Sequence, residues 1–291
     1  MKPLVSILVP LYNHERYIEF AIKSVMNQTY KNIELIVIND GSTDNSDQII
    51  QSLLKKYKFE YYKQENKGLI FTIEKLRNLA KGKYISLLAS DDAFVNDKIE
   101  VLVDYLENNP QYSMVYSNMH LINIEDEIIG NIKDGGKEGY IFEDLLCGNF
   151  FINSLTTLLK KEIYMKYDYE KGYIEDYQMW LKIAKENQIG FVDKHLSFYR
   201  VGNSLSLSSN LQKMQNAEYE IISKYSNEPI FDEALRKWNI RWLGSFGKCN
   251  KLYAIKYFLF KNISYRNFFD LNFYKSLLKL LIPCFILKKI Q

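Results

Sequence analysis

Over the first 120 residues, short aliphatic runs alternate with stretches in which apolar positions recur every three or four residues. That pattern predicts strands alternating with amphipathic helices. Val5 to Val9 reads as a buried strand, and Asn13 stands where it can cap a helix to about Gln28. Tyr17, Ile18, Ala21, Ile22, Val25 and Met26 would share one face of that helix. A strand at 34–39 follows, then a helix from about Asp44 to Tyr57 with Ile49, Ile50, Leu53 and Leu54 inward. Strand 59–63 leads to a helix carrying Leu69, Ile73, Leu76 and Ala80, which ends near Gly82. Strand 84–88, helix 97–108 and strand 112–117 complete the series. Such alternation predicts an α/β, doubly wound, mostly parallel sheet with helices on both faces.

From about residue 120 the period changes. A hairpin is expected at 121–133, before the glycine-rich Asp134-Gly135-Gly136, then helix 140–147 and a strand near 154–159. Helix 176–187 and short strands at 189–193 and 196–201 come next, and beyond Ser209 every segment reads as helix. The expected division is therefore an α/β domain at 1–205 and a helical C-terminal region at 206–291.

Composition sharpens the picture at three points. Cys147, Cys249 and Cys284 are far apart with no CxxC spacing, which argues against a zinc site or disulfide scaffold and suggests a reducing compartment. No run of about 18 apolar residues occurs, and the first apolar stretch is too short for a signal peptide, so a cytoplasmic protein is expected. The net charge of +3 conceals an asymmetry: residues 251–291 carry +7, and the first 250 carry −4. Ten Tyr and Phe residues interleave with that charge, from Tyr253 to Phe285. Basic and aromatic residues together suit an anionic membrane surface or nucleic acid, and the bland alternative is a solvated helical face.

Ligands of open α/β sheets bind beyond the carboxyl ends of the strands. Three predicted strands end there in polar residues: Pro10-Leu11-Tyr12-Asn13, Asn39-Asp40-Gly41-Ser42 and Ser90-Asp91-Asp92. Tyr12 can stack on a base and Asp40 can accept from a base N–H. Asp91 and Asp92 can hold a ribose and a hard cation, which suits a diphosphate leaving group. Each also has a plain reading as a helix cap or turn residue. No GxGxxG follows the first strand and no GxxxxGK[ST] occurs, so a dinucleotide cofactor and a P-loop are excluded. Downstream, Glu175 and Asp176 open a helix whose apolar face is Met179, Trp180 and Ile183. They read either as caps or as a general base for a hydroxyl.

Three segments carry a resemblance: VSILVPLYNHERYIEFAIKSVMNQTYKNIELIVINDGSTDNS at 5–46, GKYISLLASDD at 82–92, and IEDYQMWLKIAKENQIGFVDKHLSFYR at 174–200. Together they resemble the family 2 glycosyltransferases, inverting enzymes of the GT-A fold that build bacterial surface glycans. The resemblance implies that Pro10 and Tyr12 line the nucleotide pocket, Asp40 bonds the base, and Asp91 and Asp92 are the DxD-type acids. Asp92 would be the direct ligand of Mn2+ or Mg2+, Asp176 the catalytic base, and Glu175 the residue contacting the acceptor. It further implies a UDP-sugar donor and a saccharide or lipid-linked saccharide acceptor. With the basic tail it implies a peripheral position on the inner face of the cell membrane. A homodimer is the rival use of the tail, and no nucleic acid is expected.

The chain departs from the family pattern in three places. Ala89 stands where many relatives have an upstream acid, and Thr72-Ile73-Glu74 stands where many have an ARN segment. Lys67 or Arg77 would have to replace the missing diphosphate-contacting Arg. Tyr199-Arg200-Val201-Gly202-Asn203-Ser204 lacks a His that many relatives have, and His14 and His195 read as structural. These losses keep open a non-catalytic nucleotide-sugar-binding or scaffold subunit. A sugar-1-phosphate nucleotidyltransferase would need a glycine-rich basic loop after the first strand, which VPLYNHER is not.

Overall fold

The computed structural model describes residues 2–133, 136–202, 210–259 and 264–282. The chain packs as two compact units: residues 1–142 with 150–209, and 143–149 with 210–291. The expected boundary near 205 lies outside the described residues, and 143–149 goes with the second unit rather than the first.

The first unit is built on a nine-stranded sheet, in the order β3-β2-β1-β4-β8-β6-β9-β5 with β7 beside β6. The strands are β1 Val5–Leu11, β2 Ile33–Asp40, β3 Glu60–Gln64, β4 Tyr84–Leu87, β5 Ala93–Phe94, β6 Tyr112–Ile122, β7 Ile128–Ile132, β8 Leu158–Lys160 and β9 Gln188–Arg200. Strands β1 to β4 are mutually parallel, and β8 runs antiparallel between β4 and β6. The intervening helices are α1 Ile18–Met26, α2 Ser46–Leu54, α3 Leu69–Leu79, α4 Lys98–Asn108, α5 Phe142–Leu146, α6 Lys161–Tyr164 and α7 Glu175–Glu186. Val5, Ile7, Val9, Leu35 and Val37 pack with Ile18, Ala21, Ile22 and Leu102 in one core. Strands covered on both faces must be apolar on both, which explains the unbroken aliphatic runs.

Pro10 is tolerated because β4 stops pairing with β1 at Leu8, so its missing N–H faces no ladder on that side.

Several predicted elements need correction. Helix α1 starts at Ile18, not Asn13. Asn13 adopts φ 51° and turns its side chain away, accepting from Thr43 N at 2.8 Å. The turn 13–15 and the turn 42–45 thus lock together, for Glu15 N donates to Asp44 and Asn45 N donates to Glu15. The strands expected at 189–193 and 196–201 are one strand, β9, whose register against β6 shifts near residue 193. The strand near 154–159 is a 3-10 turn at Ser154–Thr156 followed by β8. The helix expected at 97–108 is α4, and what the sequence did not show is the short β5 between it and Asp92. The Asp91-Asp92 pair therefore caps no helix.

In the second unit, α8 Leu211–Ser223, α9 Phe231–Phe246, α10 Lys251–Ala254 and α11 Leu271–Leu281 surround Trp238, Phe246, Phe258 and Phe273. Buried Glu218 accepts from Trp242 Nε1 at 2.5 Å and pairs with Arg241. Lys251 donates to the Leu280 and Ile282 carbonyls at 2.7 Å each, closing the C-terminal end of α11. The outer side of α11 leaves Leu271, Tyr274, Leu278 and Leu281 exposed, at spacings that share one helix face. Pro283, Lys288 and Lys289 lie outside the described residues.

Candidate active site

The register brings the candidate residues to one edge of the sheet. Leu11 pairs with Asn39 and Leu8 with Leu87, so β1, β2 and β4 all end on the same side. Because β8 is antiparallel, with Lys160 opposite Tyr84 and Leu159 opposite Ile85, its preceding turn 154–156 lies at that side too. Tyr12 is 47% exposed there, an unusual position for an aromatic in a polar turn.

Asp40 ends β2 and is buried. Its carboxylate accepts from Gln64 Nε2 and Lys67 N at 2.8 Å, and from Gly68 N at 2.9 Å. Asp40 thus fixes the β3–α3 loop, a role the sequence did not reveal. Gly41 completes the arrangement at φ +72°, where a Cβ would stand 2.6 Å from Asn66 N. Replacing Asp40 by Ala would remove an anchor of the 64–68 loop, so the fold would not be indifferent to it.

The Ser90-Asp91-Asp92 turn is held from three sides. Asp92 is buried and accepts from Arg200 N at 2.8 Å. Burial, with Asp91 beside it, raises the Asp92 carboxyl well above the usual carboxylate range. Arg200 donates through Nε to the Asp91 carbonyl at 2.7 Å and reaches Asn123 O and Asp126 with its other nitrogens. Its guanidinium lies 4.4 Å from the Tyr17 ring centre. Below the turn, Lys98 is fully buried, donates to Leu155 O at 2.6 Å and sits over the Phe94 ring. Burial drives its pKa well down, against the pull of Asp92. His14 Nδ1 is 2.7 Å from Ser90 Oγ and 3.9 Å from Asp91 Oδ1. Arg200, Lys98 and His14 were not legible as site residues, because their partners lie far away along the chain.

No cluster of three metal-ligating side chains occurs among the described residues. The adjacent carboxylates of Asp91 and Asp92 at a strand end nonetheless fit Mg2+ or Mn2+, which take one or two carboxylates and complete their shell with other oxygens and water.

Glu175 and Asp176 open α7 directly after Ile174, which is left-handed at φ 59°, ψ 49°. A β-branched residue in that region is strained, and such strain gathers at functional sites. Asp176 accepts from Tyr177 N at 2.7 Å, and the Ser154 N–H also bears on its carboxylate. Burial lifts Asp176 above its ordinary value. Burial first, then the Asp176 charge, pushes Glu175 up to about 7. Glu175 can therefore exchange a proton near neutrality, beside an Asp176 that burial also raises.

Arg77 does not replace the missing diphosphate-contacting Arg. It is 3% exposed and donates to the Tyr164 and Tyr167 carbonyls, with Glu74 and Asp168 on its other nitrogen. Lys67 is exposed beside the Asp40 loop, over the Phe71 ring. His195 stacks on His120 at 5.0 Å, and residues 203–209, including Asn203 and Ser204, lie outside the described residues.

The family model for glycosyl transferase family 2 matches residues 6–167. The chain belongs to that family, and its fold is GT-A. It is 31% identical to the UDP-Glc:alpha-D-GlcNAc-diphosphoundecaprenol beta-1,3-glucosyltransferase WfgD of Escherichia coli over 237 residues, 78% of this chain and 88% of WfgD. An uncharacterized glycosyltransferase of Rickettsia conorii is 32% identical over 231 residues, 77% of this chain but 37% of that protein. The chain thus spans little more than a third of the Rickettsia relative's length. Among solved structures, S. aureus TarS 1-349 in complex with UDP-GlcNAc superposes with a TM-score of 0.65 at 15% identity, covering 94% of this chain and 79% of TarS. The mannosyltransferase PcManGT of Pyrobaculum calidifontis, in complex with GDP-Man and Mn2+, gives 0.62 at 14% identity, covering 97% and 88%. At these identities the likeness speaks for the fold.

Proposed function

We propose that the chain is an inverting glycosyltransferase that moves a sugar from a UDP-sugar to a hydroxyl of a lipid-linked saccharide in bacterial surface-glycan assembly. The observation that carries this reading is the Glu175–Asp176 pair, both raised by burial and tied through Ser154 to the sheet edge that bears Asp91 and Asp92. Asp176 takes the proton of the acceptor hydroxyl, whose oxygen bonds to the anomeric carbon as the bond to the diphosphate breaks. Glu175 contacts the acceptor. Pro10 and Tyr12 line the nucleotide pocket, Asp40 offers its remaining acceptor position to the base, and Asp91 holds the ribose. Asp92 would hold Mn2+ or Mg2+, which when bound neutralises charge on the leaving diphosphate. Lys67, exposed beside the Asp40 loop, would assist as a second cation. The UDP donor and lipid-linked acceptor follow the relative WfgD, whose name states both.

A thermal-shift panel of UDP-, dTDP- and GDP-sugars with and without Mn2+ tests the donor site. A donor at 100 times its Kd should add about 2.7 kcal/mol of stability. The UDP-sugar with Mn2+ is expected to shift the melting temperature most. No shift with any member would overturn the reading, and a shift without turnover would favour the non-catalytic alternative.

We place the protein peripherally on an anionic membrane surface, through α11. No helix among the described residues is long and apolar enough to cross a membrane. Exposed Lys275 lies on the same helix as the exposed Leu271, Tyr274, Leu278 and Leu281 stripe, exposed Arg266 precedes it in the chain, and Lys279 turns toward Gly244 of α9. A symmetric dimer through this face would bring like charges together, whereas an anionic bilayer opposes them. Cosedimentation with phosphatidylglycerol vesicles is expected, and should be lost in Leu278→Glu. Binding equal to that on neutral vesicles, or a concentration-dependent dimer, would refute this placement.

A further inference from the structure

Phe151 is 42% exposed, yet the segment that carries it is firmly held. Its neighbours Phe150 and Ile152 are buried, so the side chains alternate and only the central ring reaches solvent. The Ile152 carbonyl accepts from Trp180 Nε1 at 3.0 Å, on the helix that Asp176 opens. Asn153 then caps the 154–156 turn by accepting from Leu155 N at 2.9 Å, and the Ser154 N–H bears on Asp176. The Phe151 ring itself stands 5.6 Å from the ring of Tyr177, tilted by 64°. Tyr177 is the residue after Asp176 and is buried.

Three independent tethers therefore fix this aromatic against the first turn of α7. An exposed phenyl group held in one orientation gains nothing for the core and loses side-chain freedom. Its position next to a proton-accepting carboxylate gives it a use. Pyranose rings present a face of C–H bonds polarised by neighbouring oxygens, and such a face is drawn to the negative face of a π-system. Binding sites commonly combine an aromatic wall with a few aimed polar groups.

We infer that Phe151 is a stacking platform for the acceptor saccharide, setting the sugar ring so that one hydroxyl meets Asp176. The inference rests on the transferase reading and extends it by naming what holds the acceptor. The platform serves the acceptor and not the donor, because its tethers lead to the Glu175–Asp176 turn and none leads to Asp40 or the Asp91-Asp92 turn.

Two measurements test it with the full chain, UDP-glucose and a GlcNAc-diphospho-alkyl acceptor. In steady-state kinetics, Phe151→Ala should raise the acceptor KM about tenfold and leave the donor KM unchanged, while Phe151→Trp restores it. An unchanged acceptor KM, or a donor KM rising in step, overturns the platform. The second measurement needs no turnover: aromatic protons are saturated by NMR with UDP present, and transfer to the acceptor ring protons is read. The wild-type protein should transfer strongly, Phe151→Trp likewise, and Phe151→Ala weakly, with its melting temperature unchanged. No transfer in the wild-type protein, or equal transfer in Phe151→Ala, overturns the proposal. Normal saturation with no transfer of glucose upholds the platform and overturns the catalytic reading.

Discussion

Asp176→Asn is expected to lower kcat by about 10²–10⁴-fold while donor affinity stays at the wild-type value. The amide preserves shape and still accepts from Tyr177 N, so the first turn of α7 keeps its hydrogen bond. What it loses is the ability to take a proton. The pH profile gives the same test a second readout. Burial raises both acids, Glu175 to about 7, so kcat/KM should climb with pH through an acidic limb near neutrality. That limb belongs to the pair and not to one residue. Glu175→Gln removes the like charge and should move the limb down in pH. Wild-type kcat in Asp176→Asn would remove this residue from the mechanism.

The same pair predicts a stability effect of opposite sign. Between 4.5 and about 7 the folded protein keeps a proton on Glu175 that the unfolded chain has released. Stability therefore falls as pH rises through that window, and above it the ionised, half-buried acid carries its full cost. The shift corresponds to about 3 kcal/mol, which solvent at a partly exposed site reduces to about 1–2 kcal/mol. Glu175→Gln at pH 8 should accordingly melt a few degrees higher, roughly 2–6 °C, while losing activity. On the proposed mechanism, a strained Ile174 before two penalised carboxylates exchanges stability for chemistry.

What the sequence made legible follows from the range of the interactions involved. Strands β1, β2 and β4 were readable because a strand covered on both faces must be apolar throughout. Asp91 and Asp92 were readable as a pair at a strand end, and β5 then removed the helix-capping alternative. The side chain of Asn13 could not be placed, because its partner is Thr43, thirty residues away. Asp40 showed the converse: its position was legible, but its bonds to the 64–68 loop depend on how β3 registers against β2. Arg77 and Lys67 looked equivalent in one dimension and differ by burial alone. Single-sequence periodicity also could not join 189–193 to 196–201, since the register shift of β9 against β6 interrupts the alternation without ending the strand.

Arg200 carries the second large effect. One buried side chain joins the Asp91 carbonyl, the Asn123 carbonyl and Asp126, while its backbone N–H holds the Asp92 carboxylate. The 91–92 turn, the 123–126 turn and the end of β9 therefore share one guanidinium. Lysine cannot replace it, because a single ammonium cannot bridge partners spread around a planar fork. Arg200→Met leaves the Asp91 and Asn123 carbonyls and the half-exposed Asp126 without their donor and should cost about 1–3 kcal/mol of stability, enough to confuse loss of fold with loss of function. Arg200→Lys keeps the charge and the Asp92 hydrogen bond to backbone, so it isolates the positioning role. It should raise the Mn2+ concentration for half-maximal activity at least tenfold, and should weaken the thermal shift given by UDP with Mn2+ more than that given by UDP alone. A protein that merely became less stable would lose both shifts equally. An Arg200→Lys variant with a wild-type Mn2+ requirement would mean that the Asp91-Asp92 turn holds its shape without the guanidinium, and that Arg200 serves only the packing of β9 against Tyr17.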